Sequence, residues 1–337
     1  MNNELQKTEQ SVQQIISQLA DLKREIGKVI VGQDETIEQL LITFLAGGHA
    51  LLEGVPGLAK TLMIRTLAEA VDLKFRRIQF TPDLMPSDII GTEILEEDHS
   101  TGKRFFKFNK GPIFSNIILA DEINRTSPKT QSALLEAMQE FEVTYGGVTH
   151  TLDRPFFILA TQNPIEQAGT FPLPEAQLDR FLLYIKISYP TAEHERTILS
   201  STTGSKKEKI SKVIDGNQLL AAQKLVRDVH INEDLVDYVS RLVRSTRPEQ
   251  TDVNYVKDWV SWGSGPRAGQ AMILTAKARA FMNGNFSVTV DDIRAVAMPV
   301  LRHRILTNFR AEAEGIKAPN VVTHLLENIK ASTKQMP

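Results

Sequence analysis

Between His49 and Val71 the chain passes from an apolar segment through Gly54-Val55-Pro56-Gly57-Leu58-Ala59-Lys60-Thr61 into a helical pattern that opens at Leu62. Few folds accommodate such a run. A glycine-rich turn between a buried strand and a helix exposes successive backbone N–H groups to one small volume, and the helix start adds the positive end of its dipole. The result is a cradle for phosphate. In that setting Lys60 reaches β- and γ-phosphates, and the Thr61 hydroxyl ligates Mg²⁺. Ala59 stands where glycine usually precedes the lysine, so its methyl group must clear the phosphates. The bland alternative, a Gly/Pro-rich turn with a chance Lys-Thr, leaves the strand before it and the helix after it unexplained.

The rest of the first half supplies the sheet that such a loop needs. His49 to Glu53, Phe75 to Phe80, Asn116 to Ala120, Phe156 to Thr161 and Leu182 to Ile187 read as strands, several of them apolar on both faces as buried parallel strands are. Helical patterns fall between them. Lys129 to Glu140, with Leu134, Leu135 and Met138 on one stripe, is the clearest. Strand and helix in alternation predict a parallel α/β sandwich.

After Pro190 the strand signal stops. Ser200 to Asn217 is polar, with Lys206, Lys207 and Lys209 close together, and reads as a solvated connection. Gln218 to Val229, Glu233 to Thr246, Arg267 to Asn283 and Asp291 to Leu301 read as amphipathic helices, with Asn232 and Thr289 placed as N-caps. A further helix spans Leu5 to Val29. The expectation is therefore two domains: an α/β nucleotide-binding core over residues 1–190 and an all-α domain over residues 191–337.

A phosphate cradle does not define a reaction. Asn116-Ile117-Ile118-Leu119-Ala120-Asp121-Glu122 adds what is missing, an apolar strand ending in two carboxylates at the edge of the sheet where ligands bind. Asp121 is the candidate for the Mg²⁺ shell, and Glu122 for polarising the attacking water. The next strand ends at Gln162, Asn163 and Pro164, where an amide can bond both a lytic water and a γ-phosphate. Arg180, in Leu178-Asp179-Arg180-Phe181, is a candidate arginine finger; an ion pair with Asp179 is the bland alternative. Arg267 opens a helix at Gly265-Pro266-Arg267-Ala268, from which it could lean toward the nucleotide or simply face solvent.

Composition narrows the setting. The chain of 337 residues carries a formal net charge of -2, so no basic field draws it to nucleic acid or an anionic membrane. It contains no cysteine, which removes disulfides and thiol chemistry. No stretch approaches the roughly 20 apolar residues that cross a bilayer. A cytoplasmic protein is the expectation.

Gly54 to Thr61, Asp121-Glu122, Asn163, Arg180 and Arg267 occur in the order of the AAA+ ATPases, and more narrowly the chain resembles the MoxR family. The likeness is carried by Val31-Gly32-Gln33, the phosphate loop, Phe80-Thr81-Pro82-Asp83-Leu84-Met85-Pro86-Ser87-Asp88, and Asp121-Glu122-Ile123-Asn124-Arg125. It continues through Gln131 to Glu140, Ala160-Thr161-Gln162-Asn163-Pro164, Leu178-Asp179-Arg180-Phe181 and Gly265-Pro266-Arg267-Ala268. MoxR-like loops often carry alanine before the lysine; Gly265 departs from an expected serine. The resemblance implies a P-loop αβα sandwich with a five-stranded parallel sheet of order 5-1-4-3-2 and an all-α lid. It places Val31 and Gly32 near the adenine, with Gly54, Val55, Pro56, Gly57, Leu58, Ala59, Lys60, Thr61 and Leu62 around the phosphates. Leu84 to Lys110 would hold an insertion within helix 2, and Glu142 to Leu152 a β-hairpin turning at Gly146-Gly147. It further implies MgATP as cofactor, a closed ring such as a hexamer, and chaperone-like work on a protein client, including metal-cofactor insertion. The usual partner would carry a von Willebrand factor A domain.

Two other readings compete. A DNA-dependent AAA+ motor would use Lys103, Arg104, Lys107 and Lys110, with Phe105, Phe106 and Phe108 between them, although the chain is not basic overall. A small-molecule kinase is disfavoured by Glu122 and Asn163. The seven histidines have no metal-ligand spacing, and Arg302-His303-Arg304 reads as a basic helix end.

Overall fold

Five short strands pair in parallel to form the central sheet: β1 (Ala50–Glu53), β2 (Phe75–Gln79), β3 (Ile117–Asp121), β4 (Phe157–Gln162) and β5 (Leu183–Lys186). Their order is β5-β1-β4-β3-β2, as the resemblance implied. The computed structural model describes residues 2–97, 99–100, 102–164, 169–204 and 208–331, with side chains from residue 12 onward. Lys206 and Lys207 lie outside the described residues.

The registers Leu52↔Thr161, Ala120↔Ala160 and Ile78↔Ala120 bring the C-terminal ends of the strands to one edge. Alternation along each strand sends side chains to opposite faces. Leu52, Leu119, Leu159 and Ile185 pack with the helix Lys60–Ala70, through Met63, Ile64 and Leu67. Leu51, Ile118, Ala120, Ile158 and Ala160 pack with Leu134, Leu135 and Met138 of the helix Pro128–Glu140. Both faces are therefore covered, which is why β3 is buried along its whole length and reads as an unbroken apolar run.

The apolar layer under the helix Lys60–Ala70 continues into the helical tail, taking in Tyr238, Leu242, Met272, Phe281, Ile293 and Val300. Asn232 and Thr289 cap their helices, accepting from the backbone N–H groups of Asp234 and Asp292. The tail also holds a feature the sequence reading lacked: Val260–Trp262 pairs antiparallel with Leu306–Thr307. Strands of three and two residues are too short to show any period. The polar segment expected to run from Ser200 begins inside the helix Ala192–Thr202 and ends pinned, with Ile214 buried and the Val213 N–H on the Ala70 carbonyl.

Two antiparallel ribbons project from the core. One pairs Gly91–Glu97 with Arg104–Lys110, directly after the one-turn helix Pro86–Ile90. The other pairs Glu142–Tyr145 with Val148–Thr151 through Gly146 and Gly147, both at positive φ as a tight hairpin turn requires. Phe108 of the first ribbon stacks on His150 of the second at 4.4 Å between ring centres.

His49 is a fastener within this core. Its Nδ1 accepts from the Ile158 N–H at 3.1 Å and its Nε2 lies 3.0 Å from the Met138 carbonyl, so the neutral ring ties β4 to the helix Pro128–Glu140. Burial pushes its pKa down from 6.5 to about 4. Because the folded value is the depressed one, the unfolded chain takes up a proton first as pH falls below 6.5. His49 alone is then expected to remove about 2 kcal/mol of stability by pH 5. Thermal unfolding followed from pH 7 to pH 5 tests this; a midpoint level across that window would refute it.

Candidate active site

The loop after β1 turns at Gly57, whose φ is +86° and around whose missing Cβ no atom lies within 4 Å. Ala59 closes the loop as the residue before the helix Lys60–Ala70, in the left-handed region at φ 54°. An L-residue there costs roughly 1–2 kcal/mol, the strain that glycine would avoid. Lys60 begins the helix and donates to the Gly54 carbonyl at 2.7 Å, folding its ammonium back over the loop. Partial burial lowers its pKa, and the charges of Asp121 and Glu122 oppose that shift. The lysine thus lies within the field of both carboxylates although some 60 residues separate them in sequence.

Asp121 ends β3 and is 8% exposed. Its Oδ1 accepts from the Thr161 hydroxyl at 2.6 Å, and its Oδ2 from Arg77 Nε and Nη2 at 3.0 and 2.5 Å. Glu122 is held with φ at 58°, an uncommon conformation for a residue with a side chain. Its N–H donates to the same Thr161 hydroxyl at 2.8 Å, so one side chain of β4 fixes both members of the acidic pair. Glu122 Oε2 accepts from Gln79 Nε2 at 3.0 Å and pairs with Arg125 at 3.1 Å. Gln131, fully buried on the helix Pro128–Glu140, donates to the carbonyls of Ile123, Thr126 and Phe171 and so fixes the turn that follows. Asn163 lies one residue beyond β4 and is buried at the same sheet edge.

Val31 and Gly32 form the turn between the helices Asn2–Val29 and Asp34–Leu45. Gly32 is at φ +74°, and a Cβ there would stand 2.6 Å from the His194 ring, so only glycine fits. Gln33 donates to the Ser188 carbonyl at 3.0 Å. Ile187, next to Ser188, donates its N–H to the Glu53 carbonyl at the root of the phosphate loop, and a Cβ at Gly54 would stand 3.1 Å from its side chain. The Val31–Gly32 turn is therefore joined to the phosphate loop through the segment that follows β5.

Arg180 and Arg267 come together elsewhere. Both line a cavity of about 250 Å³ with Asp179, Arg304 and Gln270. The ion pair considered between Asp179 and Arg180 does not form. Asp179 pairs with Arg304 at 2.7 Å and lies 3.8 Å from Arg267, while Arg180 donates to the Leu135 carbonyl at 2.8 Å. Arg302-His303-Arg304 does end a helix, Val290–Leu301, with Arg302 as its C-cap, but the end is buried. His303 and Arg304 are each 8% exposed, and His303 Nε2 bonds the Phe181 carbonyl.

The first cluster can hold a polyphosphate with a divalent cation. Among the described residues no three His, Asp or Glu side chains gather as a metal cage. One hydroxyl (Thr61) and one carboxylate (Asp121) instead suit an ion that takes its other ligands from phosphate oxygens and water. Thr161, Arg77, Gln79, Gln131 and Arg304 were not read as site residues from sequence, because each acts through a partner on another element.

Comparison with known proteins agrees with this geometry. The profile of the ATPase family associated with various cellular activities (AAA) matches residues 49–183, and the AAA lid domain matches residues 255–325. The chain is 44% identical to Chaperone MoxR1 of Mycobacterium tuberculosis over 306 residues, covering 90% of this chain and 80% of that protein. It is 41% identical to the uncharacterised protein YeaC of Bacillus subtilis, covering 92% of this chain and 93% of that one. A crystal structure of a candidate ATPase from Cytophaga hutchinsonii superposes with a TM-score of 0.91 at 43% identity, over 98% of this chain and 99% of that one. With its sheet order, its acidic pair beside the phosphate loop and relatives along nearly its whole length, the chain belongs to the MoxR family of AAA+ ATPases.

Proposed function

We propose that this chain hydrolyses MgATP to ADP and phosphate as one subunit of a closed ring, such as a hexamer, and uses the cycle to remodel a protein client. The observation that carries the reading is the gathering of Lys60, Asp121 and Glu122 at one sheet edge, with the Thr161 hydroxyl bonded to the Asp121 carboxylate and to the Glu122 N–H. In this reading the backbone from Gly54 to Leu62 cradles the phosphates, and Val31 and Gly32 border the base. Thr61 and Asp121 hold Mg²⁺, which when bound neutralises charge on the β- and γ-phosphate oxygens. Glu122 takes the proton of the attacking water, and Asn163 orients that water. Arg180 and Arg267, which share one cavity, serve a neighbouring subunit's phosphates, and a finger supplied in trans calls for a head-to-tail interface that closes. Residues 1–190 act as the core and residues 191–337 as the lid.

A protein client, reached with a von Willebrand factor A domain partner, accords with the Gly91–Lys110 ribbon. There the exposed Leu95 and Phe106 face each other across the strands. The same ribbon speaks against DNA: Arg104 pairs with Glu97, Lys107 with Glu96, and Lys110 sits over the Phe114 ring. Complex maturation, metal-cofactor insertion among its forms, and a cytoplasmic setting belong to this reading. Among the described residues no helix is long and apolar enough to cross a membrane.

ATPase activity measured against protein concentration, with particle mass followed alongside, tests the reading. Activity per subunit should rise as the assembly forms; a monomer with concentration-independent activity would overturn the ring. Lys60→Ala should weaken ATP binding at least about 100-fold, since the charge-assisted bonds of Lys60 to two phosphates are lost. A nucleotide titration that matched the parent would remove Lys60 from the site.

A further inference from the structure

We infer that Arg304 and Asp179 are positioning residues for Arg180, fixing its backbone from the helical tail. The inference rests on the reading of Arg180 as the arginine finger. The Arg304 side chain is 4% exposed, and its five N–H donors account for five bonds. Nε donates to Asp179 Oδ1 at 2.7 Å, and Nη2 to the Asp179 and Phe181 carbonyls at 3.2 and 2.7 Å. Nη1 donates to the Leu182 and Val300 carbonyls at 3.3 and 2.6 Å. Three of those five acceptors are backbone carbonyls on either side of Arg180, and His303 adds a second bond to Phe181. One guanidinium thus immobilises the turn that carries Arg180, from a position 124 residues further along the chain.

The charges support the same role. Arg180, Arg267 and Arg304 line the cavity, and Asp179 is the carboxylate among its lining residues. Asp179 bonds the buried Arg304 and lies 3.8 Å from Arg267, whereas among the described residues Arg180 donates to the Leu135 carbonyl. Arg304 and Asp179 offset each other, and Arg180 keeps its charge for a phosphate. Arg304 follows the helix Val290–Leu301, which packs on β5, so the placement of the tail on the sheet and the pose of Arg180 are set by one contact. A lysine could supply the charge but not the planar fork that satisfies five acceptors at once.

Two variants in the full-length assembly test this. Arg304→Lys keeps the charge and loses the fork; Asp179→Asn keeps the shape and loses the charge. Each should leave ATP affinity, KM and particle mass within about two-fold of the parent while turnover falls at least about ten-fold. In an Arg180→Ala background neither change should lower turnover further, because the group they position is gone. If turnover in the single variants stays at the parent level, or if each still adds its full loss on top of Arg180→Ala, the positioning role is wrong. Should Arg304→Lys fail to fold, Asp179→Asn alone decides, since it leaves the carbonyl bonds in place. Parent-like turnover from Arg180→Ala by itself would overturn the finger reading and the inference together, an outcome distinct from the others.

Discussion

Glu122→Gln is expected to cut ATP turnover by about 10²–10⁴-fold while ATP affinity stays within a few-fold of the parent. The substitution keeps the shape of the side chain and gives up the charge that pairs with Arg125. Glutamine preserves the length of the side chain, and an amide oxygen still accepts from Gln79 Nε2, now 3.0 Å from Glu122 Oε2. The backbone N–H keeps its 2.8 Å bond to the Thr161 hydroxyl, so the left-handed turn at φ 58° persists. An amide, however, cannot take a proton from water. Binding therefore survives and hydrolysis stops, and the assembly should accumulate with ATP bound. Single-turnover kinetics with a parallel binding titration separate the two quantities. If the variant hydrolysed at the parent rate, Glu122 would not be the base, and the carboxylate would serve only to shape the turn.

Much of this site was legible in the sequence because its parts are local. The phosphate loop is one continuous run, the acidic pair is two adjacent residues, and β3 and β4 are buried on both faces, so their apolar runs stand out. The Gly146-Gly147 turn and the caps at Asn232 and Thr289 carry their conformational reasons in their own side chains, or in the lack of one. What escaped reading is relational. Arg77 meets Asp121 only because β2 lies beside β3 in a register that sets Arg77 against Leu119, two residues short of the aspartate. Thr161 matters because β4 is the other neighbour of β3. Arg304 reads as part of a basic helix end, which it is, but only the fold lays it against carbonyls more than 120 residues earlier. The sequence placed Arg180 next to Asp179, yet adjacency along the chain did not make them partners.

Arg180→Ala carries the other large effect: about 10³-fold or more in turnover, with ATP binding retained. Lys60 lies in the field of Asp121 and Glu122, whereas Arg180 and Arg267 line a separate cavity with Asp179 and Arg304. Two cations set apart from the phosphate loop of their own chain can complete the site of a neighbour in a head-to-tail ring. Mixing decides between neighbours and self. An Arg180→Ala subunit has a sound phosphate site and no finger; a Lys60→Ala subunit has a finger and no phosphate site. In equal mixture half of the subunits can bind ATP, and half of their neighbours present Arg180. About a quarter of the parent activity should return if sites fire independently and the ring closes head to tail. An inactive mixture whose particle mass showed that the two variants had assembled together would return Arg180 to its own subunit. The shared cavity would then require both arginines to swing toward the nucleotide of the chain that carries them.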